Sequence, residues 1–481
     1  MNKRYDIERK RKPNSNTDKS TLKRNSMKQE FASDTIPPDG TPGQDRQPPA
    51  LYLLFFVEMW ERMSYYGMRA LLVLYMTAAT TSGGFGWSKA DALSLYGWYT
   101  GLVYLTPLLG GYMADRYLGL RKSVTFGATV MMIGHIAMAV PGFTAFYIGL
   151  GCLILGNGFF KPAMGQLVGG LFAEGDRRRD GAYTIFYVGV NTGAFIAPFI
   201  AGTLGERMGF HWGFGAAAVG MFFGQVLFLT VGPRLLGKIG IEPAAKAQMA
   251  LNKARSLAGD AKQALTSIEK DRLFVIVALM FFVVVFWTAF EQAGGLMTLY
   301  TDAKVNRNVL GFEIPTTWFQ SLNPVFIMTL GPLFAWMWTR LALRGRDPSA
   351  PEKFGWALLL MGIGFTFMVF AAQESAATGM ASIHWILLSY FFQTCGELCM
   401  SPVGLSMVNK LTPSRFGTIM MGIWYLSFAV ANKLSGVVGS YAEKLGETQL
   451  FGAIAAVAAT CGLVLLVFIA KPLQRKMHGI H

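Results

Sequence analysis

Phe55-Phe-Val-Glu58-Met-Trp-Glu61-Arg62-Met-Ser-Tyr65-Tyr66-Gly-Met-Arg69-Ala70 is the stretch on which the reading of the chain turns. It lies in an apolar segment running from Leu51 to about residue 80, long enough to cross a bilayer, which takes about 20 mostly apolar residues. An Asp, Lys or Arg at the centre of a membrane helix costs about 2.5–3.5 kcal/mol on insertion scales. This segment carries Glu58, Glu61, Arg62 and Arg69. Such a helix survives if its charges face protein or a water-filled path. Glu58, Glu61 and Arg62 stand at i, i+3 and i+4, one helical face, which Tyr65 and Arg69 extend. One reading is a structural ion pair from Glu58 to Arg62. That leaves a spare carboxylate and a spare guanidinium, so the reading carried forward is a polar path that binds something charged.

The composition fits a membrane protein. The chain has 481 residues, of which 52% are hydrophobic and only 15% charged. The charges fall between repeated apolar runs. A net charge of +15 would suggest nucleic acid in a soluble protein. Here the excess lies in loops and tails, where the positive-inside bias accounts for it, and no nucleic acid is expected. Cys152, Cys395, Cys399 and Cys461 lie in apolar stretches without accompanying histidines. They read as small core residues, with no metal site.

Twelve spans are expected, near 51–80, 92–114, 121–140, 144–168, 182–204, 211–235, 272–300, 315–343, 354–373, 383–407, 415–440 and 449–470. Pro107, Pro162, Pro198, Pro324, Pro332 and Pro402 are candidate kinks. The domain reading is a disordered basic tail over 1–50 and a six-helix bundle over 51–235. A polar, Ala-rich cytoplasmic linker follows over 236–271, then a second six-helix bundle over 272–471 and a short tail over 472–481. Basic residues gather on one side: the N-terminal tail, Arg116, Arg121, Lys122, Arg177 to Arg179, the linker, Arg340, Arg344, Arg346, Lys353, Lys410, Arg415, Lys471, Arg475 and Lys476. The opposite loops hold Lys89, Arg207, Lys304, Arg307 and Lys444. Both termini are therefore expected in the cytoplasm.

Chain direction and a rise of 1.5 Å per residue then place the buried charges in depth. Glu58 and Glu61 lie roughly 10 and 15 Å from the cytoplasmic end, Lys161 roughly 10–13 Å and Glu397 roughly 15 Å. Arg69 and Glu291 share a higher level, roughly 27–28 Å up, on opposite halves of the chain. The pair reads as an outer latch. Lys161, Arg69 and Arg62 offer cations to a carboxylate, and Glu397 offers an anion to an ammonium. Asn191 and Asn323 add uncharged donors and acceptors. Tyr65, Tyr66, Tyr104, Trp287, Trp318 and Trp424 offer apolar walls with polar tips. A zwitterion with variable side chains fits such a site.

Several motifs carry a family resemblance. Glu58-Met-Trp-Glu61-Arg62 with its run to Arg69 resembles the ExxER motif of the proton-dependent oligopeptide transporter (POT, or PTR) family. Gly111-Tyr-Met-Ala-Asp115-Arg116-Tyr-Leu-Gly119-Leu-Arg121-Lys122 resembles the loop 2–3 motif of the major facilitator superfamily. Phe186-Tyr187-Val-Gly-Val-Asn191-Thr-Gly193 is similar to the family's FYxxxNxG signature, and Trp318-Phe-Gln-Ser-Leu-Asn323-Pro324 to its eighth span. Gly396-Glu397-Leu-Cys-Met-Ser401-Pro402-Val-Gly404 resembles its tenth-span motif. The matches run from about 51 to 440.

The resemblance implies an all-α membrane protein of the major facilitator fold, with twelve transmembrane helices in two six-helix bundles. It implies proton-coupled import of di- and tripeptides across the plasma (inner) membrane. Glu58, Glu61, Arg62, Lys161 and Glu291 would couple protons, and Arg69 with Glu291 would form the gate salt bridge. Tyr65, Tyr66, Arg69, Tyr104, Lys161, Asn191, Asn323, Glu397, Ser401 and Trp424 would contact substrate. The expected partners are peptide, protons and lipid, with a monomer and no cofactor. Many bacterial members carry two further spans between the halves, and 236–271 is too polar for them. The alternatives are a relative moving another small anion, such as nitrate or a carboxylated compound, and a receptor that binds peptide without moving it. An enzyme is not expected, since no nucleophile–base pair stands out among the five histidines.

Overall fold

The computed structural model describes residues 46–173, 175–243, 265–413 and 416–480. Most of the expected tail over 1–50, most of the linker over 236–271, and Arg415 lie outside the described residues. Among those described are twelve helices of 18 residues or more. They are α1 (Pro49–Thr77), α2 (Lys89–Met113), α3 (Leu120–Met138), α4 (Phe143–Gly170), α5 (Arg178–Ala197), α6 (Phe210–Leu236), α7 (Ser267–Phe290), α8 (Leu322–Leu343), α9 (Ala350–Thr378), α10 (Ile383–Leu411), α11 (Gly417–Ser440) and α12 (Glu447–Val464).

Seven of these, α4 to α9 and α12, are long and apolar enough to cross a membrane on length and composition. Helix α1 fails that test because every 18-residue window within it holds at least three of Glu58, Glu61, Arg62 and Arg69. The charges that make α1 informative also lower its hydropathy. On the outside of the molecule, Trp98, Phe222, Phe281, Leu333, Trp336 and Phe468 are exposed. An apolar outer surface of this kind marks contact with a membrane.

Helices α1 to α6 pack on one another through α3–α4, α1–α6, α1–α5, α2–α4 and α3–α6. Helices α7 to α12 pack through α9–α12, α9–α10, α7–α11, α8–α10 and α7–α9. Two seams join these halves, α2 against α11 and α5 against α8. At the first, a Cβ on Gly97 would stand 2.7 Å from the Cα of Gly436, so both glycines are needed for the backbones to meet. Twelve alternating helices put the start of α1 and the end of α12 on one face, called near here; the opposite face is far.

Helix starts are coded locally. Thr266 with Glu269 and Ser349 with Glu352 form capping boxes at α7 and α9, and the Asp91 N–H donates to Ser88 at the start of α2. Pro107, Pro162, Pro332 and Pro402 lie inside α2, α4, α8 and α10. Pro198 opens a π turn, Pro198–Gly202, that carries α5 on into Thr203–Met208. Pro324 falls in the first turn of α8. A two-stranded antiparallel hairpin on the far face pairs Asn308 with Glu313 and Val309 with Phe312.

Two of the expected spans differ from the sequence expectation, and the one over 315–343 opens as a 3₁₀ turn, Thr316–Ser321, before α8 begins at Leu322. The span expected over 272–300 is not one helix: α7 stops at Phe290, a 3₁₀ turn covers Glu291–Gly294, and a short helix resumes over Leu296–Lys304. The cause is crowding from the other half. A Cβ on Gly294 would lie 2.1 Å from the Tyr96 hydroxyl and 2.8 Å from Arg69 Nη2. Only glycine lets the backbone come so close.

Candidate substrate and coupling site

Helix α1 carries the charged centre. Glu58, Glu61 and Arg62 are buried, Glu61 with 1% of its surface exposed. Arg62 Nη2 donates to Glu61 Oε1 at 2.6 Å, and its Nε pairs with the other oxygen of Glu61. The Glu58 carboxylate stands 3.3 Å from Arg62 Nε. Arg62 thus binds its chain neighbour most closely, where the helical spacing had suggested Glu58 alone. Glu58 Oε2 is buried without a hydrogen-bond partner among the described residues. The Arg62 guanidinium also lies 5.1 Å from the centre of the Tyr65 ring and 6.0 Å from that of Tyr66, within cation–π reach.

Two turns farther along α1, Arg69 reaches the other half of the molecule. Its Nη2 forms a buried ion pair with Glu291, and its Nε donates to the Tyr96 hydroxyl at 2.6 Å. Tyr96 was not read from the sequence as part of the site. Its signal was available: Tyr96 and Tyr104 flank two small positions of α2, Gly97 and Gly101, that abut α11.

Lys161, on α4, places its ammonium 4.3 Å from the centre of the Tyr104 ring. It lies within electrostatic range of Glu58, Glu61 and Glu291, yet pairs with no acid among the described residues. The Tyr104 ring stacks on Phe428 of α11 at 5.8 Å, across the two halves. Phe428 in turn meets Trp287 at 5.2 Å and Trp424 at 6.4 Å. Phe428 is a wall residue that the sequence reading missed; an isolated phenylalanine in an apolar run carries no mark of its own.

In the second half, Asn323 Nδ2 donates to Glu397 Oε2 at 2.7 Å and to Thr394 Oγ1 at 3.1 Å, joining α8 to α10. Glu397 is buried and has no cationic partner among the described residues. Ser401 Oγ and Trp424 Nε1 are likewise buried without partners. Asn191 spends its amide N–H on the Tyr187 carbonyl of its own helix at 2.9 Å. Trp318 belongs elsewhere: its indole N–H donates to Thr203 Oγ1 at 2.8 Å, at the far end of the α5–α8 seam.

Two groups of opposite sign, half-buried Lys161 and buried Glu397, therefore lie on different halves without an ion pair among the described residues. Above them, a closed Arg69–Glu291 pair bridges the halves. The polar contacts between halves gather at the far face. The Glu206 carboxylate accepts the N–H groups of Thr316 and Thr317, each at 2.8 Å, and the Thr317 hydroxyl at 2.6 Å. Ser321 Oγ donates to the Phe195 carbonyl at 2.9 Å, Arg207 Nη2 to the Glu313 carbonyl at 2.6 Å, and Lys89 Nζ pairs with Glu447 at 3.3 Å.

Fold and site together define a multi-pass membrane transporter of two helical bundles with charged groups buried between them. The comparisons specify it further. The family model described as PTR2, POT family, matches residues 121–252 and 245–456. An uncharacterized transporter of Bacillus subtilis, YclF, is 36% identical over 93% of this chain and 98% of its own length. The peptide transporter YePEPT of Yersinia enterocolitica is 32% identical over 89% and 94%. A di-/tripeptide transporter of Lactococcus lactis subsp. cremoris is 33% identical over 90% and 97%. Among solved structures, the peptide transporter POT in complex with sulfate superposes with a TM-score of 0.85 at 36% identity, covering 94% of this chain and 99% of that one. A POT family transporter in complex with 5-aminolevulinic acid gives 0.82 at 30% identity, over 91% and 99%. The chain belongs to the POT family, whose members are transporters and not enzymes.

Proposed function

We propose that this transporter is a proton-coupled symporter that imports di- and tripeptides by alternating access. The observation that carries the reading is the pair of opposite charges without ion-pair partners among the described residues, half-buried Lys161 and buried Glu397, beneath the Arg69–Glu291 bridge. A peptide has a carboxylate and an ammonium at its two ends. Lys161 and Arg69 hold the first and Glu397, oriented by Asn323, holds the second. Tyr65, Tyr66, Tyr104, Asn191, Ser401 and Trp424 line the space between. The named substrates of the Yersinia and Lactococcus relatives point the same way.

Coupling follows from competition for the same cations. Protonating Glu291 releases Arg69, and protonating Glu61 loosens Arg62 within the Glu58–Glu61–Arg62 group; each step frees a cation for the peptide carboxylate. Proton and peptide enter from the far face, the bundles 51–235 and 272–471 rock, and both leave at the near face. All twelve helices cross the plasma (inner) membrane, with the termini, the tail over 1–50, the linker over 236–271 and the tail over 472–481 in the cytoplasm. The working unit is a monomer in lipid, needing no cofactor beyond protons. The membrane potential, worth about 2.3 kcal/mol per charge per 100 mV, drives a positively charged load inward.

The test is uptake into proteoliposomes under an imposed pH gradient, with radiolabelled dipeptides, tripeptides and nitrate. Gradient-dependent accumulation of peptides is expected. Accumulation of nitrate alone would favour an anion carrier, and saturable peptide binding without accumulation would favour a receptor.

A further inference from the structure

Asn432 lies on α11, outside every group assigned so far. It is 1% exposed. Its Nδ2 donates to the Phe428 carbonyl at 2.9 Å, which fixes the amide and leaves Oδ1 buried without a partner among the described residues. Such an acceptor costs about 1–3 kcal/mol unless something pairs with it.

Neighbouring contacts show where it points. At 100° per residue, the side of α11 carrying Ala431 and Ser435 faces α7: their carbonyls accept from Thr288 Oγ1 at 3.3 Å and Gln292 Nε2 at 3.0 Å. The side carrying Ala429 and Gly436 faces α2, meeting Gly101 and Gly97. Asn432 falls between these two sides, one turn beyond Phe428. Its side chain therefore enters the wedge between α2 and α7. Tyr96 of α2 and Glu291 at the end of α7, the two helices that border this wedge, meet at Arg69.

We propose that Asn432 is a positioning residue for Arg69, supplying the neutral acceptor that holds the guanidinium when Glu291 gives it up. Arg69 has five N–H donors and stays charged. In the closed state, Tyr96 and Glu291 take two of its groups. Once Glu291 is protonated, a largely enclosed guanidinium without a counter-charge needs other acceptors, and Asn432 Oδ1 is an unused one on the neighbouring helix. The inference rests on the symport reading above and adds a component to it.

Other titratable groups face the pair: Tyr65 and Tyr66 of α1, Tyr96, Tyr99 and Tyr104 of α2, Lys161 of α4, and Tyr390 and Glu397 of α10. Helix α11 also carries Tyr425, beside Phe428, and Lys433, which turns away from the pair to lie over Trp98 at 4.1 Å. None of these is altered by substitution of Asn432.

The test is the pH profile of radiolabelled Ala-Ala uptake into proteoliposomes by wild type, Asn432→Leu, Asn432→Asp and Asn432→Ser. Loss of the acceptor disfavours the state with Glu291 protonated, so Asn432→Leu moves half-maximal uptake to lower pH. Asn432→Asp gives Arg69 a replacement carboxylate and moves it to higher pH. Shifts of about half a pH unit or more in these opposite directions are expected, with Asn432→Ser close to wild type. If Asn432→Leu does not fold, the Asp and Ser variants carry the comparison. Coinciding profiles in a wild type and variants that all transport would overturn the inference alone. A wild type that shows no gradient-driven uptake would instead overturn the symport reading.

Discussion

Glu291 and Arg69 illustrate how much one residue decides in this molecule. Glu291 is buried, the Arg69 side chain is 12% exposed, and the pair spans the two halves. Removing one partner of a buried ion pair costs about 3–5 kcal/mol, because the other charge stays behind unpaired. Glu291→Gln is therefore expected to lower the melting temperature in detergent and to abolish proton-driven uptake. A variant as stable and as active as wild type would show that the bridge does neither job. Glu397 makes a different prediction. It is held by Asn323 but has no cationic partner among the described residues. A hydrogen bond to a charged group contributes about 1.5–3 kcal/mol, so Glu397→Gln should weaken uptake of a free dipeptide about ten- to hundredfold. An N-acetylated dipeptide, lacking the ammonium, should be affected far less. Equal losses for both would remove Glu397 from the ammonium site.

At the scale of elements, the break after α7 and the start of α8 carry the contacts between halves. The backbone at Gly294 passes so close to Tyr96 and Arg69 that any side chain must displace them. Gly294→Ala is expected to yield folded protein with uptake reduced to near background; near-normal uptake would mean that the break yields without consequence. Glu206 reaches across from the extension of α5 to the 3₁₀ turn Thr316–Ser321 that leads into α8, and accepts two backbone N–H groups and a hydroxyl there. It acts as a helix cap supplied by the other half. Losing a cap costs about 0.5–2 kcal/mol, enough to shift an opening equilibrium severalfold. A cysteine reporter on the far-face hairpin should therefore be labelled faster in Glu206→Ala than in wild type. Unchanged labelling would assign the opening barrier to the Arg69–Glu291 bridge instead.

Across the whole molecule, the polar contacts between halves cluster at the far face, while the α2–α11 seam continues through close-packed glycines. This describes a transporter closed at one end. Spin-label distances across the far face are expected to be short without substrate and to lengthen in Glu291→Gln, with near-face distances shortening in step. Far-face distances that ignore the substitution would argue against rocking about a central site.

Much of this organisation follows from the chain alone. Buried charges in apolar runs, their depth from helical rise and the six-plus-six division are properties of composition along one dimension. They placed Arg69 and Glu291 at one level and singled out Lys161 and Glu397. What the sequence could not supply was partner choice. Arg62 closes most tightly on Glu61, Arg69 takes Tyr96 as well as Glu291, and Phe428 of α11 covers Tyr104. Glu206 caps a helix more than a hundred residues away, and Asn432 points into a wedge that exists once α2, α7 and α11 have met. Hydropathy and spacing fix which face of a helix is buried and at what height. Which side chains then touch depends on the rotation and approach of neighbouring helices, set by close contacts such as Gly97 against Gly436, and those arise on assembly of the two bundles.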